Sequence, residues 1–143
     1  MKRQILSVAA ALGLSIIAAG QCHAQQPVVV KVPFAFQAGD KIMPAGQYRI
    51  QPASLSSDAV QVVGKSDGKS TAVVITLPVE RDGKAVSPRL VFHRYGNEYF
   101  LTEIWNGDAQ GRHLYQTSRE KEFATTLGSR EVTLLASAPS GKL

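Results

Sequence analysis

The sequence predicts an all-β fold: an antiparallel sandwich or small barrel of about seven to eight strands, with one short helix near residues 118–125. Three observations carry this. Beyond residue 24, valines outnumber leucines thirteen to nine, and β-branched side chains suit a pleated, half-buried surface. Short runs alternate apolar and polar with period two. Tight-turn dipeptides, Asp67-Gly68 and Gly96-Asn97, separate those runs.

The first segment stands apart from that pattern. Met1-Lys2-Arg3 is basic, and Ile5 to Ala19 follows without a charge. A run of about fifteen residues is short of the ~20 that span a bilayer as a helix. It leads into Gln21-Cys22-His23-Ala24, the small-residue ending of a secretory signal peptide, with cleavage expected after Ala24. Cys22 as a lipid-bearing residue is disfavoured, because the bulky Gln21 stands directly before it. An uncleaved anchor is disfavoured by the short apolar run. The expected organisation is a signal peptide over 1–24, a single β-domain over 25–137 and a flexible tail over 138–143. Such a chain is exported, to the periplasm or outside the cell, and has no transmembrane helix in its mature part.

Processing changes the arithmetic. Of 143 residues 119 remain, the formal charge falls from +5 to +3 with the loss of Lys2 and Arg3, and the only Cys departs. The mature domain is disulfide-free and is held by its core alone. A chain of this size buries roughly two-thirds of its unfolded surface, enough for that.

The strands follow in order. Val28, Val30, Val32, Phe34 and Phe36 share one face, and Pro33, which cannot donate to a ladder, marks an edge or a bulge. Pro44 and Gly46 supply a turn into a strand with Tyr48 and Ile50 on one face. Val60 and Val62 begin a third strand ended by Gly64, and Asp67-Gly68 joins it as a hairpin to Thr71–Leu77. Arg81-Asp82-Gly83-Lys84 is a charged turn. Gly96-Asn97 then joins residues 90–95 to 98–105, pairing Tyr95 with Glu98, Arg94 with Tyr99, His93 with Phe100 and Phe92 with Leu101. Continued along both strands, that register places Leu90, Phe92, Arg94, Tyr99, Leu101, Glu103 and Trp105 on one face. Val91, His93, Tyr95, Glu98, Phe100, Thr102 and Ile104 fall on the other. Gly107–Arg112 reads as a polar turn, and residues 113–116 as one more short strand. Thr117-Ser118-Arg119-Glu120 has the capping-box form and predicts the helix. Residues 130–136 close the domain as a strand.

The residues limit the chemistry. His93 and His113 are the histidines of the mature chain, so a three-histidine metal centre is excluded, and no metal or cofactor is expected. His93 is expected to bond Glu98 or Thr102 on its own face, and His113 to be exposed. There is no G-x-S-x-G elbow and no mature Cys to act as a nucleophile. Glu98 and Glu103, five apart, are expected on opposite faces. Glu120 and Glu122, beside Arg119 and Lys121, read as a solvated helix face. Glu103 is unusual, a carboxylate between Leu101 and Trp105, and is expected to pair with Arg94 or another Arg. Arg94 and Tyr99 form a guanidinium–aromatic pair. The candidate ligand-binding set is therefore Arg94, Tyr99, Glu103 and Trp105. Basic residues scattered from Lys31 to Lys142 give no nucleic-acid footprint; an envelope polymer or a protein is the expected partner class.

Val32-Pro33-Phe34-Ala35-Phe36-Gln37-Ala38-Gly39, Met43-Pro44-Ala45-Gly46-Gln47-Tyr48 and Leu90-Val91-Phe92-His93-Arg94-Tyr95-Gly96 together carry a resemblance. With Glu98-Tyr99-Phe100-Leu101 and Ser118-Arg119-Glu120-Lys121-Glu122, the chain resembles small exported proteins of acidobacteria. Met43 stands where leucine is common in that pattern. The likeness spans most of residues 28–122, and it implies export and a β-fold but no catalytic site. The expected function is that of an exported, non-enzymatic β-domain with a binding or envelope-structural role. Two alternatives stand beside it: a carrier of a small apolar ligand in a β-barrel, and a small hydrolase using a strand carboxylate.

Overall fold

The computed structural model of the chain describes residues 27–54, 58–66, 68–82, 87–107 and 110–136. The signal peptide expected over 1–24, the tail expected over 138–143 and the turn residues Asp67, Gly83 and Lys84 lie outside the described residues. Among the described residues the elements run β1 (Val28–Val32), β2 (Phe36–Ala38), β3 (Lys41–Met43), β4 (Gly46–Pro52), β5 (Ala59–Gly64), β6 (Thr71–Glu80), β7 (Arg89–Tyr95), β8 (Glu98–Trp105), β9 (Gln110–Leu114), α1 (Ser118–Thr126) and β10 (Ser129–Leu135). The described residues are mostly strand, with one helix.

The sheet folds over because β6 serves two neighbours in succession. Its first half pairs with β5, from Thr71 opposite Val63 to Ile75 opposite Ala59. Its second half pairs with β9, from Thr76 opposite Leu114 to Glu80 opposite Gln110. One layer is thus β1-β4-β5 with the first half of β6. The other continues from the second half of β6 through β9 and β8 to β7 and β10. Alternate residues of both layers (Val30, Tyr48, Val62 and Val74 against Leu90, Phe92 and Leu101) meet in one buried cluster. Phe36 bridges the layers, with its ring edge-on to Tyr48 at 5.1 Å and to Phe92 at 5.4 Å.

The all-β class with one short helix stands; the barrel alternative is excluded, and two further details differ. The sheet does not close into a barrel: β1 lies beside β10 and no ladder joins them. It is mixed rather than wholly antiparallel, since β2 runs parallel to β8 at Gln37 and Phe100. Among the described residues the strands number ten, because Gly39, at φ +59, turns the chain into an added hairpin of β2 and β3 before Pro44 is reached. Pro33 does mark an interruption: β1 ends at Val32, and its outer edge carries no ladder partner. β9 starts at Gln110, inside the stretch expected to be a turn.

The β7–β8 hairpin keeps the predicted register only as far as Phe92 opposite Leu101. Val91 then faces Glu103, which leaves Thr102 as an extra residue on β8. Such a bulge puts two residues against one and reverses the side-chain alternation beyond it. The Thr102 hydroxyl donates to the Val91 carbonyl at 3.0 Å, which stabilises the irregularity. Past the bulge Ile104 joins Leu101 in the core, and Glu103 and Trp105 turn to the outer face.

The helix forms where the capping residues predict it. Thr117 accepts from the Glu120 amide at 3.1 Å, satisfying one of the orphan donors of the first turn. It packs on the outer face of β7 and β8, where the Phe123 ring lies 5.8 Å from Phe100.

Candidate functional site

The bulge divides the four predicted site residues between two faces. Arg94 and Tyr99 remain on the core side, opposite one another, with the guanidinium carbon 5.5 Å from the Tyr99 ring centroid. Tyr99 also stacks on Phe34, with centroids 3.8 Å apart and planes at 13°. Arg94 Nε donates to the Gly96 carbonyl at 2.7 Å, tying the side chain back to its own turn. This aromatic–cation group closes one end of the core.

Glu103 and Trp105 form a separate group outside. Glu103 does not pair with an arginine as expected; its Oε2 accepts from the Trp105 indole nitrogen at 2.8 Å. Trp105 is buried and lies directly opposite Gly111, and the Arg81 guanidinium stands 5.8 Å from its ring. The bulge also brings Glu98 and Glu103 to the same face rather than opposite ones. They remain about 16 Å apart along the strand, too far to flank one scissile bond.

The third group lies under α1. Glu120 was expected to be solvated; it is 4% exposed. Its Oε1 accepts from the Tyr95 hydroxyl at 3.2 Å and lies 3.5 Å from His93 Nδ1. His93 therefore meets a helix carboxylate rather than Glu98 or Thr102. The physical reason is helical periodicity: Glu120 and Phe123 are three apart and share the face that docks on the hairpin. Burial, then the charge and the hydrogen bond of Glu120, hold the Tyr95 phenol above its ordinary value of 10.0. A buried carboxylate held by a phenol and facing an imidazole latches the helix to the sheet. Glu98 stands at the rim of this group, 3.5 Å from Gln37 Nε2 and 4.0 Å from Arg119.

A fourth feature is a surface that the sequence reading did not single out. On the outer side of the first layer, Lys31 stands opposite Gln47, and the Lys65 amide bonds the Gln47 carbonyl from the other side at 2.8 Å. Arg49 lies between Val29 and Val63 in the next row. Among the described residues no carboxylate is within ion-pair distance of Lys31, Arg49 or Lys65. On the first half of β6, Val73 and Ile75 point outward at 60% and 58% exposure, and Leu77, 43% exposed, follows where β6 passes into the second layer. Tyr115, just beyond the end of β9, is 57% exposed. The signal was legible in Ala72-Val73-Val74-Ile75-Thr76-Leu77, which is apolar on both faces although only one is covered.

Among the described residues no three of His, Cys, Asp and Glu are gathered where they could hold a metal ion. No described helix is long and apolar enough to cross a membrane. His113 is exposed, as expected. Fold and sites together define an open, two-layered β-domain with a helix latched to one face. Comparisons with family models, with curated proteins and with solved structures returned no match for the chain.

Proposed function

We propose that this chain is an exported, non-enzymatic β-domain that acts by binding within the cell envelope. The observation that carries the reading is the outer surface of β1, β4, β5 and β6, where apolar side chains lie exposed beside cations that have no described carboxylate partner. Soluble domains ordinarily scatter exposed apolar residues singly, and a contiguous group points to an interaction surface. Support also comes from the carboxylates, because Glu120 and Glu103 are engaged by Tyr95 and Trp105. The basic start, the short apolar run and the ending at Ala24 support export, as does the likeness to exported acidobacterial proteins.

The test follows the chain in the cell. A product of 119 residues beginning at Gln25, found outside the cytoplasm and retained by envelope fractions, is the expected result. A chain that stays in the cytoplasm at full length overturns export. Turnover of a glycan or ester that Glu103→Gln abolishes without unfolding overturns the non-enzymatic part.

A further inference from the structure

The outer face of the first layer has one composition over its whole extent. Its outward positions are Val29 and Lys31 on β1, Gln47, Arg49 and Gln51 on β4, Ala59, Gln61 and Val63 on β5, and Thr71, Val73 and Ile75 on the first half of β6. None of them is a carboxylate. Lys31 and Lys65 flank Gln47 two strands apart, about 10 Å, and Arg49 stands one row below. The three cations thus form a compact triangle. Val63, opposite both Arg49 and Thr71, connects that triangle to Val73 and Ile75.

From this arrangement we propose that the outer face of β1, β4, β5 and the first half of β6 docks on an anionic lipid surface, with Lys31, Arg49 and Lys65 on the headgroup phosphates and Val73 and Ile75 at the acyl boundary. The proposal rests on the envelope-binding reading and names the partner. Charge complementarity argues for an anionic partner, because three neighbouring cations without described counter-ions repel one another until an anion neutralises them. The apolar row selects the kind of anion. A soluble polyanion would neutralise the triangle but leave Ile75 and its neighbours in water. A second copy of this chain would cover the apolar row, yet would bring six cations and no carboxylate into one interface. A bilayer of acidic lipids answers both halves of the face, presenting phosphates above an apolar layer.

The test uses the protein in the form recovered from producing cells, sedimented with phosphatidylglycerol-containing or pure phosphatidylcholine vesicles at low salt. Binding is expected on the first and not on the second. Each cation near such a surface is worth about fivefold in partition, so Lys31→Gln, Arg49→Gln and Lys65→Gln together are expected to weaken binding on the order of a hundredfold. Ile75→Asn is expected to weaken it as well while leaving the salt dependence in place. All four side chains are exposed, and circular dichroism with thermal unfolding checks that the variants fold.

Equal binding to both vesicles, or a triple variant that binds like the parent, overturns the proposal. So does tight binding of soluble polyphosphate that Ile75→Asn leaves unchanged, which assigns the face to a polymer. A dimer in sedimentation velocity that Ile75→Asn dissociates overturns it in favour of a copy interface. Envelope retention in cells without vesicle binding defeats this proposal and leaves the binding reading standing; a chain neither exported nor retained defeats that reading itself.

Discussion

The Trp105 ring fills the space that a side chain on Gly111 would need: a Cβ built on that glycine would meet the indole Cδ2 and Cε3 at 2.6 Å. The two residues are direct cross-strand partners on β8 and β9, so neither can move away without disturbing the ladder. Glu103 holds the indole from the side through its nitrogen. Gly111→Ala is therefore expected to destabilise the fold by about 1–3 kcal/mol, the usual cost of overpacking. Urea unfolding, with Trp105 fluorescence as the probe, measures it. A change below about 0.5 kcal/mol, the scale of a neutral surface substitution, would show that the ring has room to yield.

Tyr95 makes stability depend on alkaline pH. Burial and Glu120 raise its folded value above 10.0, so on raising the pH the unfolded chain loses this proton first. The stabilisation is fully present below pH 10 and is lost as the pH climbs from there through the raised folded value. Tyr95→Phe should lower stability at neutral pH, since the Glu120 carboxylate loses its phenol donor, at a cost of about 1–3 kcal/mol. It should also flatten the decline above pH 10 relative to the parent chain. Denaturant titrations of both proteins at a series of alkaline pH values check this; parallel pH profiles would contradict it.

Local rules read along the chain found most of this fold, and they failed where one residue broke the count. Period two placed Val28, Val30 and Val32 inside and paired Arg94 with Tyr99. Thr117 announced the helix. Thr102 is what the alternation could not carry: nothing in Leu101-Thr102-Glu103-Ile104 marks which residue is extra, because a bulge is chosen by how the neighbouring strands meet. Since one slip moves every later side chain to the other face, Glu103 and Trp105 were assigned beside Arg94 and lie on the opposite face. Glu120 was misread for a related reason. Its charge and its basic neighbours suggest solvent, and only its three-residue spacing from Phe123, the lone large apolar residue of α1, marks the docking face. The open edge between β1 and β10 depends on how the two layers close, which no short run of residues encodes.

Thr102 gives that argument an experimental form. Its hydroxyl is the donor to the Val91 carbonyl within the irregular part of the ladder. Thr102→Val keeps the shape and removes the donor, leaving a buried carbonyl without this bond, and is expected to cost about 1–3 kcal/mol. Thr102→Ser keeps the donor and loses only a methyl group, so it should cost about half as much or less. Equal losses for the two variants in urea unfolding would mean that packing, not the hydroxyl, holds the bulge.

Thr117 and Tyr95 hold the same residue from opposite ends. Thr117 accepts from the Glu120 amide, and Tyr95 donates to the Glu120 carboxylate. A helix as short as α1 is not stable by itself, so the cap can count only while the carboxylate and Phe123 keep the helix docked. Thr117→Ala is expected to cost about 1 kcal/mol in the parent chain. In the Tyr95→Phe background it should cost less, because part of the docking has already been lost. The double-mutant cycle should show a coupling of about 0.5 kcal/mol or more, and hydrogen exchange of the α1 amides should rise in each single variant. Additivity within about 0.3 kcal/mol would mean that the cap and the phenol act on separate parts of the structure, and that Glu120 does not transmit between them.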